Sequence, residues 1–445
     1  METELKEVAP NKIAFVSFTK KATEEAIERA CDRFNFNPSD LVYFRTIHSM
    51  AFMSLGLKRV QVMQQKDYKK IGAHLGLKFT GGEFVDGPAP CGKNAGDQYI
   101  FIDGFSKARH LAAKTVWDMM NHDNLNWFEF RRYQDTVAEY KRNTGLYDFS
   151  DMLMMGGRPL DIDVLIIDEA QDLSTAQWRY VSETFCNAKR VYIGGDDDQA
   201  IFEWSGADVN HFINLNGTKT VLDKSYRIPK SIHTLAENIS GKIKTRNDKK
   251  YTSRQEEGSI EYWMNVDDIN MSSGTWLLLA RNSYLLGELA AVAKQQGYNY
   301  TLKNKNAVSK TLVKAIQLWE KHRKGLILSD NEKEQIKLYV DVWDTSKIWH
   351  EAFGKMPAEE REFYVSMLRR GESLTNEPRI KISTIHGSKG GEADNVVLLT
   401  DMAYNTWEAT NLNQDSEYRV WYVGVTRAKQ NLNIIMPRGR YHFEL

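Results

Sequence analysis

Two carboxylates at the end of an apolar run open the chemistry of this chain. Val164 to Asp168 reads VLIID, and Glu169, Gln171 and Asp172 follow directly. A continuous apolar run of that length suits a strand buried on both faces of a parallel sheet. Its carboxyl end then faces the crevice where such sheets bind ligands. There Asp168 can hold Mg²⁺ beside nucleotide phosphates, and Glu169 can orient or deprotonate an attacking water. Acids also follow strands in ordinary solvated loops, but the apolar strand immediately ahead favours the nucleotide reading.

Four further stretches carry chemistry-bearing residues. IGGDDDQAIFEWSGAD places Gln199 where its amide can sense a γ-phosphate, and Trp204 where its ring can stack on a base. LDKSYRIP offers Tyr226 for stacking on a purine and Arg227 for neutralising charge on a transferring phosphoryl group. ISTIHGSKGGEADNVVLL contains His386, Lys389, Gly390 and Glu392. Its glycine amides and lysine suit a phosphate, and Glu392 can accept a hydrogen bond from a ribose hydroxyl. SEYRVWYVGVTRAKQNLNII brings Arg427 and Lys429 to the turn before the last strand, where Arg427 reads as a second arginine finger.

The elements that must position these residues are short apolar runs, each followed by a polar turn or a helical pattern. They are Ile13 to Phe18, Val164 to Asp168, Val191 to Gly195, Trp276 to Ala280, Ile380 to Ile385, Val396 to Leu399 and Leu432 to Ile435. Lys20 to Ala30 has Ala22, Ala26, Ile27 and Ala30 on one helical face. The alternation predicts two α/β sheets, one in each half, with all of these strands buried. Two stretches, 51–144 and 302–373, break the rhythm and read as helical insertions.

With 445 residues the chain is long enough for two or more domains. Lys plus Arg and Asp plus Glu are 59 each, so a nucleic-acid partner would need a local groove, not a basic protein as a whole. Cys31, Cys91 and Cys186 are too widely spaced for a disulfide framework or a zinc site, which predicts a reducing cytoplasm. No apolar run is long enough to span a bilayer, and METELKEVAP does not read as a signal peptide.

FVSFTKKATEEA, RTIHSMAF, LYDFSDML, VLIIDEAQD, IGGDDDQAIFEWSGAD, LDKSYRIP, LLLARN, ISTIHGSKGGEAD and YVGVTRAK occur in the order and rough spacing of helicase motifs Ia to VI. The chain from about residue 10 to its end resembles the UvrD/Rep/PcrA group of superfamily 1 DNA helicases. The resemblance implies two RecA-like, P-loop NTPase-type α/β domains with nucleotide between them and single-stranded DNA across their tops. It implies a first motor domain over 1–50 and 145–225 with insertion 51–144, and a second over 226–301 and 374–445 with a reduced insertion 302–373. ATP and Mg²⁺ would drive 3′ to 5′ stepping on single-stranded DNA and unwinding at junctions with duplex, in a prokaryotic or phage-infected cell, with an accessory protein as a possible partner. By position, Asp168 would hold magnesium and Glu169 would activate water. Gln199, Arg227 and Arg427 would contact the γ-phosphate, with Tyr226 on adenine and Glu392 on the ribose. Gly390 would also lie at the nucleotide, and DNA would meet Phe18, Thr19, Thr46, His48, Phe202, Trp204, His386 and Lys389.

The chain departs from that pattern at the phosphate loop. The family places G-x-x-x-x-G-K-[ST] ahead of the FVSFTKKA strand, yet the residues before Ile13 include no glycine. The expectation is a chain that begins inside the first motor domain, inactive as it stands and prone to aggregate through uncovered sheet surface. GPAPCGKN, from Gly87 to Asn94, imitates the loop but has Asn94 where a hydroxyl should ligand Mg²⁺ and follows no strand. Glu203 and Ser205 stand where relatives often carry arginines, which predicts weaker positive charge at the DNA. The competing reading is a non-catalytic DNA-binding or scaffold protein that keeps the helicase fold.

Overall fold

The computed structural model describes residues 1–80, 94–120 and 125–445. Gly87 to Lys93 of the loop-like stretch lie outside the described residues. Asn94 is described, and its side chain caps the helix Ala95–Ala108 by accepting from the Asp97 N–H at 3.0 Å. The chain divides into two compact units: Met1–Leu222 with Ile239–Lys250 and Glu408–Tyr422, and Asp223–Asn238 with Tyr251–Trp407 and Val423–Leu445.

The first unit is built on a four-stranded parallel sheet. Its strands are β1 (Ile13–Ser17), β2 (Phe44–Thr46), β3 (Val164–Asp168) and β4 (Arg190–Ile193), in the order β2-β1-β3-β4. Side chains alternate between two cores, as the period of a strand requires. Ala14, Val16, Leu165 and Ile167 pack with Ile47, Met152 and Tyr180 on one face. Ile13, Phe15, Val164 and Ile166 pack with Ala26 and Ala30 of the helix Lys20–Phe34 on the other. The first insertion has a separate aromatic core around Tyr99, Trp117, Phe130 and Tyr133.

One expectation fails here. The Val191 run is not buried on both faces: β4 is an edge strand, with Val191, Tyr192 and Ile193 exposed by 50%, 47% and 38%. Its composition is that of an interior strand, but among the described residues its only strand neighbour is β3.

The second unit holds seven strands: β5 (Ser259–Trp263), β6 (Trp276–Ala280), β7 (Tyr300–Leu302), β8 (Lys305–Asn306), β9 (Ile380–Thr384), β10 (Ala393–Leu399) and β11 (Ala428–Ile435). Their order is β5-β11-β10-β6-β9-β7-β8, parallel except for the β7–β8 hairpin. Helices of the 302–373 stretch share this unit's core: Trp319, Phe353 and Tyr364 belong to the same buried cluster as Leu278, Ile380 and Ile382. Among the described residues no helix is long and apolar enough to cross a membrane.

Candidate functional site

The carboxyl ends of three strands in the first unit align side by side. Ser17 pairs in register with Thr46 on one side and with Asp168 on the other. Asp168 is half-buried, and burial followed by the neighbouring Glu169 charge pushes its carboxyl above the usual range. Glu169 has φ 53°, a left-handed conformation that a non-glycine residue adopts at a cost. The strain is held by two bonds. The Ala170 N–H donates to the Gly194 carbonyl at 3.0 Å, and the Gln171 amide donates to the Glu169 carboxylate at 2.6 Å. A carboxyl disfavoured as an anion by burial and by a like charge is one that a divalent cation would relieve. The described residues contain no group of three or more ligating side chains. A cation held by Asp168 would supply the opposing charge there.

The loop after β4 is tied to the same carboxylate. Gln171 is fully buried, and its carbonyl oxygen accepts the Asp196 N–H at 3.0 Å. The Gln199 amide donates to the Asp196 carboxylate at 2.7 Å. Cations surround the three acids. Lys249 pairs with Asp196, with Asp197 at 2.6 Å and with Asp198 at 3.2 Å. Arg246 grips Asp198 with two bonds of 2.9 and 2.6 Å, and Arg419 donates to the Asp197 carbonyl at 2.8 Å. Burial acts to raise Asp196, but Lys249 and Gln199 hold it below the usual carboxylate range; at Asp198 burial prevails and the carboxyl is raised.

Six of the eight DNA candidates, Phe18, Thr19, Thr46, His48, Phe202 and Trp204, belong to this unit too; His386 and Lys389 belong to the second. The Phe18 and Phe202 rings lie 5.3 Å apart, and Trp204 is 6.4 Å from Phe202. Thr19 and Thr46 are helix N-caps: Thr19 accepts from the Ala22 N–H at 3.2 Å and Thr46 from the Ser49 N–H at 3.3 Å. Capping uses a lone pair of each hydroxyl and leaves its O–H free to be given to an acceptor such as a phosphate. Two helix N-termini thus start from adjacent strand ends, a setting favourable to anions. His48 packs edge-on against Phe149 at 5.6 Å, and burial pushes its pKa down to about 4. Glu203 faces Arg419 at 3.6 Å, so this acid is partly compensated within its own unit.

The second unit gathers the remaining candidates. Arg227 pairs with Glu392 at 2.5 Å, and Lys429 reaches the other oxygen of that carboxylate at 2.8 Å. Burial would raise Glu392, but the two cations hold it below its ordinary value. Arg427 is buried, with its guanidinium donating to the carbonyls of Val423 at 3.0 Å and Gly391 at 3.2 Å. Tyr226 is 81% exposed, with the Lys224 ammonium 5.1 Å from its ring centroid. His386 is buried, Lys389 is half-buried, and Gly390 adopts φ 73°, the conformation that requires glycine in this turn.

Lys249, Arg246 and Arg419 were not legible as site residues. KTRNDKK reads as a solvated charge run, and nothing in its spacing announces that it pairs with acids some fifty positions upstream.

Comparison with known proteins gives this arrangement a context. The UvrD/REP helicase N-terminal domain matches residues 3–220, and the UvrD-like helicase C-terminal domain matches residues 288–439. The chain is 25% identical over 298 residues to the ATP-dependent DNA helicase PcrA of Bacillus subtilis, covering 58% of this chain and 37% of that protein. It is 25% identical over 321 residues to a probable DNA helicase II homolog of Rickettsia conorii, covering 64% and 47%. The chain thus spans less than half the length of these two relatives. Two domain matches in the expected order, over a pair of parallel-dominated α/β sheets, place this chain in the UvrD/Rep family of superfamily 1 DNA helicases.

Proposed function

We propose that this chain carries the DNA track and the hydrolytic residues of an ATP-driven motor that steps 3′ to 5′ on single-stranded DNA and opens duplex at junctions. The observation that carries the reading is the strained Glu169, bonded through Gln171 to the loop that bears Gln199. A water-activating carboxylate and a γ-phosphate contact joined this way can respond to one nucleotide.

In this reading Asp168 holds the magnesium ion, which neutralises phosphate charge when bound. Glu169 orients the attacking water. Gln199, Arg227 and Arg427 contact the γ-phosphate; Arg427 must exchange backbone carbonyls for phosphate oxygens, and Arg227 must share its charge with Glu392. Tyr226 stacks on adenine, Glu392 accepts from the ribose, and the Gly390 amide approaches the nucleotide. Phe18, Phe202 and Trp204 stack bases, while Thr19, Thr46, His48, His386 and Lys389 meet phosphates. The sequence holds no G-x-x-x-x-G-K-[ST] to cradle the β- and γ-phosphates. The reading therefore requires that loop to be supplied before turnover.

The test is unwinding of partial duplexes by the chain joined behind a phosphate-loop segment. Substrates with a 3′ single-stranded tail should be opened in the presence of ATP, and those with a 5′ tail should not. Equal opening of both, or opening only from the 5′ tail, contradicts the polarity.

A further inference from the structure

The loop Gly194 to Ala200 carries three consecutive acids, two of them almost fully buried: Asp197 is 2% exposed and Asp198 is fully enclosed. Buried carboxylates are tolerated only with compensating charge and hydrogen bonds. Each acid here has a distinct partner set. Asp198 is held by both arms of the Arg246 fork. Asp197 accepts the Asn247 N–H at 2.8 Å and a bond from Lys249 at 2.6 Å. Asp196 spends one oxygen on Lys249 and the other on the Gln199 amide. Lys249 reaches all three acids.

We propose that Lys249, supported by Arg246, is the positioning residue for Gln199: it fixes Asp196, and Asp196 parks the Gln199 amide until a γ-phosphate offers a competing acceptor. The role assigned to the phosphate rests on the functional reading given above; the parking itself does not. Because Asp196 also donates its N–H to Gln171, the same cation steadies the partner of Glu169. Lys249 touches neither nucleotide nor water in this scheme and acts on Gln199 through Asp196. Arg419, bonded to the Asp197 and Thr245 carbonyls, braces the loop from a second segment.

The experiment is hydrogen–deuterium exchange of the whole chain, read on the peptide covering residues 194–200. Lys249→Met should raise exchange there by about tenfold or more while strand β1 stays within about twofold of wild type. Lys249→Arg should restore protection. The double variant Lys249→Met/Asp196→Asn, which still leaves Asp197 and Asp198 without their lysine, should recover part of the protection lost in Lys249→Met, which a lysine serving only as packing would not allow. Unchanged exchange in Lys249→Met, or equal loosening in Lys249→Arg and in the double variant, overturns the proposal. The readout needs no turnover. Absence of ATP hydrolysis from the chain joined behind a phosphate-loop segment would remove the functional reading and leave the parking of Gln199 standing, whereas unchanged exchange would do the reverse.

Discussion

Gln171 bridges Glu169 and Asp196: its amide donates to the Glu169 carboxylate at 2.6 Å and its carbonyl oxygen accepts the Asp196 N–H at 3.0 Å. One buried side chain thus sets the distance between the strand that ends in the acids and the loop that carries Gln199. The bridge leaves no room at Gly195, where an added Cβ would lie 2.5 Å from the Gln171 carbonyl oxygen and 2.9 Å from the Phe212 ring. Gly194→Ala would make only an ordinary 3.5 Å contact with Asp168. Gly195→Ala should destabilise the chain by about 1–3 kcal/mol in a urea melt, with Gly194→Ala much closer to wild type. Equal stability of the two variants contradicts the bridge.

The Phe18–Phe202 pair, with Trp204 beside it, is the stacking surface assigned to DNA. Phe202→Ala should weaken single-stranded DNA binding by about 1–3 kcal/mol, roughly fivefold to 150-fold in Kd, while Phe202→Tyr keeps most of the affinity. Fluorescence anisotropy with a labelled oligonucleotide gives the comparison. An unchanged Kd in Phe202→Ala removes this pair from the DNA track.

β4 presents Val191, Tyr192 and Ile193 along an edge that no other strand among the described residues pairs, the arrangement through which sheets self-associate. The chain should form oligomers as its concentration rises, and Val191→Lys should suppress them. Light scattering during size-exclusion chromatography distinguishes the two. A wild-type chain that stays monomeric at every concentration shows that the edge is covered or inert.

His48 has its pKa pushed down from 6.5 to about 4 by burial, so the folded state keeps it neutral where the unfolded chain begins to protonate it. The unfolded state then binds more protons, and stability falls as the pH drops from 6.5 towards 4. His48→Gln should flatten the dependence of Tm on pH between about 6.5 and 5, a window above most carboxylate titration. An identical slope in the variant means that the imidazole is not held neutral.

Much of this was legible in the sequence. Val164–Asp168 and Trp276–Ala280 are strands with the limits that their apolar runs suggest, because interior parallel strands are apolar on both faces. The same rule misread Val191 to Gly195. Residue type reports what a strand can bury, but an edge is defined by the neighbour it lacks. β2, β5, β7 and β8 escaped notice because they are short or half-exposed and leave no apolar run. At the site, Asp168, Glu169 and Gln199 stood out by type and spacing. The side chains that hold them did not: Lys249 and Arg246 are ordinary cations until the fold brings them to Asp196 and Asp198. Thr19 and Thr46 drew notice as DNA candidates, and the structure shows each capping a helix, a role their place at the end of a strand leaves open.

The most direct measurement is ATP hydrolysis stimulated by single-stranded DNA, comparing the chain alone with the chain joined behind a phosphate-loop segment, each with and without Glu169→Gln. The account predicts hydrolysis only in the joined form, stimulated by DNA and lost in Glu169→Gln. Hydrolysis by the joined form that survives Glu169→Gln, or its absence from the joined form altogether, contradicts the assignment of Glu169 as the water-activating carboxylate of a DNA-driven motor.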